Sequence, residues 1–134
     1  MQIVLRFVAL VVIANAALIA NAYAQQYWAG LLFPLAEPRP YTEMVSAALA
    51  GALAAAVVSA FPLAWLFRKW AWLAGLAISL PVIAVRAPEL GASTLPNQQV
   101  IFVMAWVEML SYTVLVTGAA WVLARRRALA ENAL

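Results

Sequence analysis

Four stretches of the chain, at about residues 3–23, 42–67, 70–85 and 99–124, carry almost no charge and no polar stripe. From Gly51 to Phe67 the sequence "GALAAAVVSAFPLAWLF" is apolar at nearly every helical angle, so neither a period of 3.6 nor a period of 2 separates an inner from an outer face. Helices of that kind are either buried on all sides or surrounded by lipid. Crossing a bilayer takes ~20 apolar residues, a length these stretches approach or exceed. The pattern predicts an all-α integral membrane protein: a single transmembrane domain over 1–134, built as a bundle of four membrane-spanning helices with short loops.

The links are "AQQYWAGLLFPLAEPRPY", the two-residue turn Arg68-Lys69, and "RAPELGASTLPNQ". Pro34, Pro38, Pro40, Pro88 and Pro96 are expected as helix stops. Within the first link, "QYWAGLLFPLAE" is too apolar for a solvated loop and too short to span. It is expected to lie in the membrane interface as a lid over the outer end of the bundle, in preference to a re-entrant pore segment.

The placement of Lys and Arg orients the bundle, because short loops rich in them stay cytoplasmic. With the N-terminus inside, Arg6, Arg68, Lys69, Arg125, Arg126 and Arg127 are inside, and only Arg39 and Arg86 are outside. Both termini are therefore expected in the cytoplasm. Trp and Tyr residues gather at the span ends, as amphipathic rings do at headgroup level. The Ala-rich composition suggests a bacterial cytoplasmic (inner) membrane. A second reading of the first span stays open: Arg6, an apolar stretch and Ala22-Tyr23-Ala24 fit a signal peptide cleaved after Ala24, leaving three spans in the same orientation.

Composition then narrows the chemistry. The chain is 68% hydrophobic and 10% charged, has no His and no Cys, and all five of its acids are Glu. That excludes thiol redox chemistry, imidazole-bound haem or zinc, and Ser/His or Cys/His nucleophiles. No cofactor or metal site is expected. The net charge of +3 would suggest nucleic acid in a soluble domain. Here the cations flank apolar spans, where anionic lipid and insertion topology account for them, so membrane lipids are the expected partner and nucleic acid is not.

Helices in lipid pack through small residues that let backbones approach. Ala47, Gly51, Ala55 and Ser59 recur every four residues in the second span, and Ala71, Gly75 and Ser79 do so in the third. Ala16, Ala20 and Ala24 offer a similar line in the first. These stripes predict close helix contacts, within the chain or between copies. Pro62 and Pro81 remove backbone donors inside two spans.

The stretch "FVMAWVEMLSYTVL" then sets Glu108 in an otherwise apolar helix, nine residues after Gln99. At 1.5 Å per residue that is ~14 Å below the helix start, near the middle of a ~30 Å core. Ser111 and Tyr112 share its face, Gly118 continues it, and Asn15 is the other strongly polar group at mid-span. A contact from Glu108 to Asn15 or Tyr112 is expected. Two roles stay open: interhelical glue, or a carboxylate that binds a proton or cation.

Two functions follow, with a lipid-modifying enzyme third because a lone Glu with Ser and Tyr makes a poor acid–base pair. The first is a non-enzymatic inner-membrane protein serving as an accessory or assembly subunit of a larger membrane complex. The second is a small proton- or cation-coupled transporter or channel that works as a homo-oligomer through Glu108.

Overall fold

The computed structural model describes residues 1–32, 41–94 and 98–132, and it is helical almost throughout. Helix α1 spans Gln2–Leu32, α2 Tyr41–Phe67, α3 Ala71–Arg86 and α4 Gln99–Glu131; 3-10 segments at Arg68–Trp70 and Ala87–Thr94 follow α2 and α3. Three helical stretches, Gln2–Leu31, Tyr41–Gly91 and Gln99–Glu131, are long and apolar enough to cross a membrane. The middle stretch contains both α2 and α3. With its 16 residues α3 is only ~24 Å long, less than a ~30 Å core, until the 3-10 segment prolongs it.

The middle stretch is not one rod. Arg68 sits at φ 48, a left-handed conformation that costs a side-chain-bearing residue ~1–2 kcal/mol and ends α2. Contacts on either side of it show the chain reversing. Leu53, Val57 and Phe61 of α2 share a groove with Val114, Gly118 and Leu123 of α4, and the two helices end together where Arg68, just past α2, bonds Glu131 of the last turn of α4. On α3 the order is opposite: Gly75 abuts Thr117, while Arg86 reaches Glu108. Helix α1 is likewise antiparallel to α2, with Asn21 against Gly51 and Trp28 bonded to Ser46. The main packing pairs are α1 with α2, α2 with α4, and α4 with α3.

The buried interior is made of Ile13, Ala17, Ala55, Leu63, Ile78, Tyr112, Val116 and Ala120, with few large side chains. Large apolar residues point outward instead, among them Phe7, Val57, Phe61, Val85 and Val114. In water an exposed apolar surface of this kind marks an interaction site or an aggregation hazard. Against lipid tails it carries no such penalty, and small residues are left to set the interhelical distance. The expected stripes lie where that demands: Ala47, Gly51, Ala55 and Ser59 of α2 and Ala71, Gly75 and Ser79 of α3 are all buried. The Ser59 and Ser79 hydroxyls donate to the carbonyls four residues back, at 2.7 and 2.9 Å, so burying them leaves no donor unpaired.

Two expectations are corrected. Helix α1 runs to Leu32, well past residue 23, so the first part of the apolar link is helix and not an interfacial lid. Nothing between Ala24 and Leu32 breaks a helix, since the nearest proline is Pro34 and a lone Gly30 costs only ~1 kcal/mol. Its packing line also passes through Ile13 and Ala17, while Ala16, Ala20 and Ala24 are half-buried beside it. The expected stops at Pro34, Pro38, Pro40 and Pro96, and the outer residue Arg39, lie outside the described residues. Pro88 falls in the first turn of the 3-10 segment after α3, where its missing N–H is not needed.

Candidate functional site

Helix α4 begins at Gln99, so Glu108 lies where the apolar pattern put it, in the third turn of a 33-residue helix. Its partner is different. Arg86, the last residue of α3, donates from Nε to Glu108 Oε2 at 2.6 Å, and the Glu108 side chain is 13% exposed. The same guanidinium donates from Nη1 to Glu89 Oε1 at 2.8 Å, one 3-10 turn further on. One cation thus serves two carboxylates, with a different nitrogen for each, using the fork geometry that Lys lacks.

The expected contacts of Glu108 with Asn15 and Tyr112 are not formed. Asn15 is exposed and donates to the Val11 carbonyl of its own helix at 2.8 Å. Tyr112 is 1% exposed, yet its hydroxyl has no hydrogen-bond partner among the described residues. Ser111 donates to the Glu108 backbone carbonyl at 3.4 Å, a local bond that leaves the carboxylate to Arg86. The reason is reach: Arg86 stands at a helix end, and its long stem carries the charge inward along apolar surface to the acid. Gly118, expected on the Glu108 face, has open space beside it and lines the shallow apolar groove between α2 and α4.

A second acid, expected with Glu37 and Glu89 only as a charge near the outer face, belongs to the buried side. Glu43, in the first turn of α2, is 2% exposed, and neither carboxylate oxygen has a hydrogen-bond partner among the described residues. Above it the Trp28 indole donates to Ser46 Oγ at 3.2 Å, and that hydroxyl donates to the Glu43 backbone carbonyl at 2.8 Å. The signal was in the spacing. Glu43 precedes Ala47 by four residues and begins the stripe that continues through Gly51, Ala55 and Ser59. A residue on that line faces a neighbouring helix whatever its polarity.

The opposite end of the bundle is basic. Arg68 of the α2–α3 turn and Arg127 of α4 both bond Glu131, at 3.1 and 3.0 Å. Together with Arg6 of α1 they border a cavity of about 580 Å³. The charged groups are therefore sorted along the helix axes: Glu43, Arg86, Glu89 and Glu108 toward one end, and most of the cations at the other. No group of acids among the described residues is arranged to hold a metal ion. No protein-family model, curated protein or solved structure matches the chain.

Proposed function

We propose that this chain is a multi-pass protein of the bacterial cytoplasmic membrane that crosses four times and serves as an accessory or assembly subunit of a larger membrane complex. The observation that carries the reading is the Arg86–Glu108 pair. A coupling carboxylate must exchange its cation or proton during each cycle, whereas Glu108 is held at 2.6 Å by a guanidinium of the same chain. Its charge is matched inside the bundle, and the outer surface is left to large apolar side chains, free to meet lipid or other membrane helices. In this reading both termini lie in the cytoplasm. Arg6, Arg68, Lys69, Arg125 and Arg127 border one cavity, which supports a common side for the start of α1, the α2–α3 turn and the end of α4.

Reporter fusions at residue 134 and near Ser93 are expected to report opposite compartments, with the C-terminus inside; a C-terminus outside would overturn the orientation. Gentle detergent extraction of the tagged chain from its native membrane is expected to bring down a defined set of other membrane chains. Glu108→Gln, which can still accept a bond from Arg86, is expected to leave that assembly intact. A discrete homo-oligomer with no partners, whose pH-dependent flux in proteoliposomes stops on Glu108→Gln, would replace the subunit reading by the transport one.

Glu43 favours that second reading, a small proton- or cation-coupled transporter or channel. Glu43 is buried with no hydrogen bond or ion pair among the described residues, which makes its ionised form costly, and ionisable groups inside membrane bundles are often functional. Glu43→Met removes the unsatisfied group while keeping much of its volume, and is expected to raise thermal stability by about 1–3 kcal/mol. A gain in stability with assembly retained makes Glu43 dispensable to a subunit. The same gain together with abolished flux identifies it as the coupling group.

A further inference from the structure

Basic residues that only set insertion topology need to lie on the same side of a membrane; nothing in that rule makes them converge on one concavity. Here they converge. Arg6, Arg68, Lys69, Arg125 and Arg127, drawn from three separate parts of the chain, line a single cavity in which Glu131 is the one acid. Its volume, about 580 Å³, falls in the ~300–1,000 Å³ range of small-ligand sites. Trp70, Trp72 and Trp121 share the wall. Two of the cations rest over indole faces: Lys69 Nζ is 5.7 Å from the centre of Trp70, and Arg125 Cζ is 5.4 Å from that of Trp121. At the rim Arg68 is held at φ 48, a conformation that side-chain-bearing residues seldom adopt and that recurs at ligand clamps.

We propose that this cavity binds the headgroup of an anionic phospholipid. Glu131 shows where the phosphate would go. Its carboxylate is the chain's own anion, accepting from Arg68 Nη2 at 3.1 Å and from Arg127 Nε at 3.0 Å, and a phosphate presents more acceptor oxygens to the same two forks. The Trp rings favour a lipid over a free anion, because amphipathic indoles suit the boundary between headgroup and acyl chain. Basic pockets between membrane helices recognise such headgroups through the same chemistry. The site needs the chain to lie in a bilayer, but it does not depend on the subunit reading.

The test uses the full chain in mild detergent, titrated with phosphatidylglycerol or with phosphatidylcholine of the same acyl chains, and read by melting temperature and Trp fluorescence. Phosphatidylglycerol is expected to stabilise the chain saturably and phosphatidylcholine not to, with millimolar inorganic phosphate failing to compete. Arg127→Gln is expected to weaken binding about fivefold, the worth of one basic residue near an anionic surface. Arg126→Gln removes the same charge from a side chain outside the cavity wall and is expected to leave the affinity unchanged. Glu131→Gln is expected to tighten binding, because it removes the competing anion, and a merely structural ion pair has no means of producing that gain. If Arg127→Gln does not fold, the lipid preference of the unaltered chain and the Glu131→Gln gain decide the matter. Equal responses to the two lipids, equal losses from Arg126→Gln and Arg127→Gln, or full displacement by inorganic phosphate would each overturn the proposal.

Discussion

Arg86→Met is expected to lower the stability of the purified chain by about 2–3 kcal/mol, more than Glu108→Gln does, and the double change Arg86→Met with Glu108→Met is expected to recover most of the loss. Removing one partner of a fully buried ion pair costs ~3–5 kcal/mol, because the other charge is left without compensation. Arg86 is 32% exposed and Glu108 13%, so the expected figure lies below that range. The single changes are unequal because Arg86 serves two acids. Without it both Glu108 and Glu89 lose their partner, whereas Glu108→Gln leaves Arg86 with Glu89 and still presents a carbonyl oxygen. Replacing both members with apolar side chains of similar volume removes the more buried unpaired charge with its desolvation penalty, and leaves only Glu89, a third exposed and open to water, without Arg86. Thermal melts of the three variants in one detergent check the order. If Arg86→Met melts with the unaltered chain, the pair does not hold α3 to α4, and the argument that Glu108 is closed within the chain goes with it.

Much of this architecture was legible because lipid-facing helices have a simple rule: apolar all round, with small residues at the contacts. That rule located α2, α3 and α4 and the buried line from Ala47 to Ser59. It failed at the end of α1, where Tyr27 and Trp28 read as interface residues although aromatic rings at that level sit as readily on a helix as on a link. The polar site was half legible. Depth along the helix singled out Glu108, but the search for its partner was confined to polar groups at mid-span. Arg86 was placed at the outer boundary as a topological charge. Yet it stands seven residues after Ser79, two turns along the line of Ala71 and Gly75, and so faces α4. Glu43 escaped for the same reason, read as a charge near a membrane surface when its spacing from Ala47 put it on the buried face. In both cases the stripe identified the face and the charge was allowed to overrule it. A side chain's direction follows from the backbone, and a long cation or an acid on a buried face turns inward with it.

Glycine substitution tests the packing rule at three positions that look alike in sequence. A Cβ at Gly75 would stand 2.9 Å from the Thr117 Cα, and one at Gly51 would collide with the Asn21 side chain and come within 2.8 Å of the Asn21 carbonyl oxygen. At Gly118 it would meet nothing within 4 Å. Alanine gains ~1 kcal/mol over glycine inside a helix from backbone entropy alone, and overpacking a filled contact costs ~1–3 kcal/mol. Gly118→Ala is therefore expected to stabilise the chain and Gly75→Ala to destabilise it, because the atom in the way is backbone, and relief means moving α3 from α4. Gly51→Ala is expected to cost at least as much as Gly75→Ala, since the Asn21 carbonyl oxygen is backbone too and the Asn21 and Gln25 side chains crowd the same place. Gly51→Leu adds still more volume to that contact and is expected to cost more than Leu53→Ala, which trims an exposed side chain. Melting temperatures in a common detergent rank the variants. Equal shifts for Gly75→Ala and Gly118→Ala would mean that α3 does not approach α4 at Thr117, and the close-packed arrangement that brings Arg86 to Glu108 would lose its support.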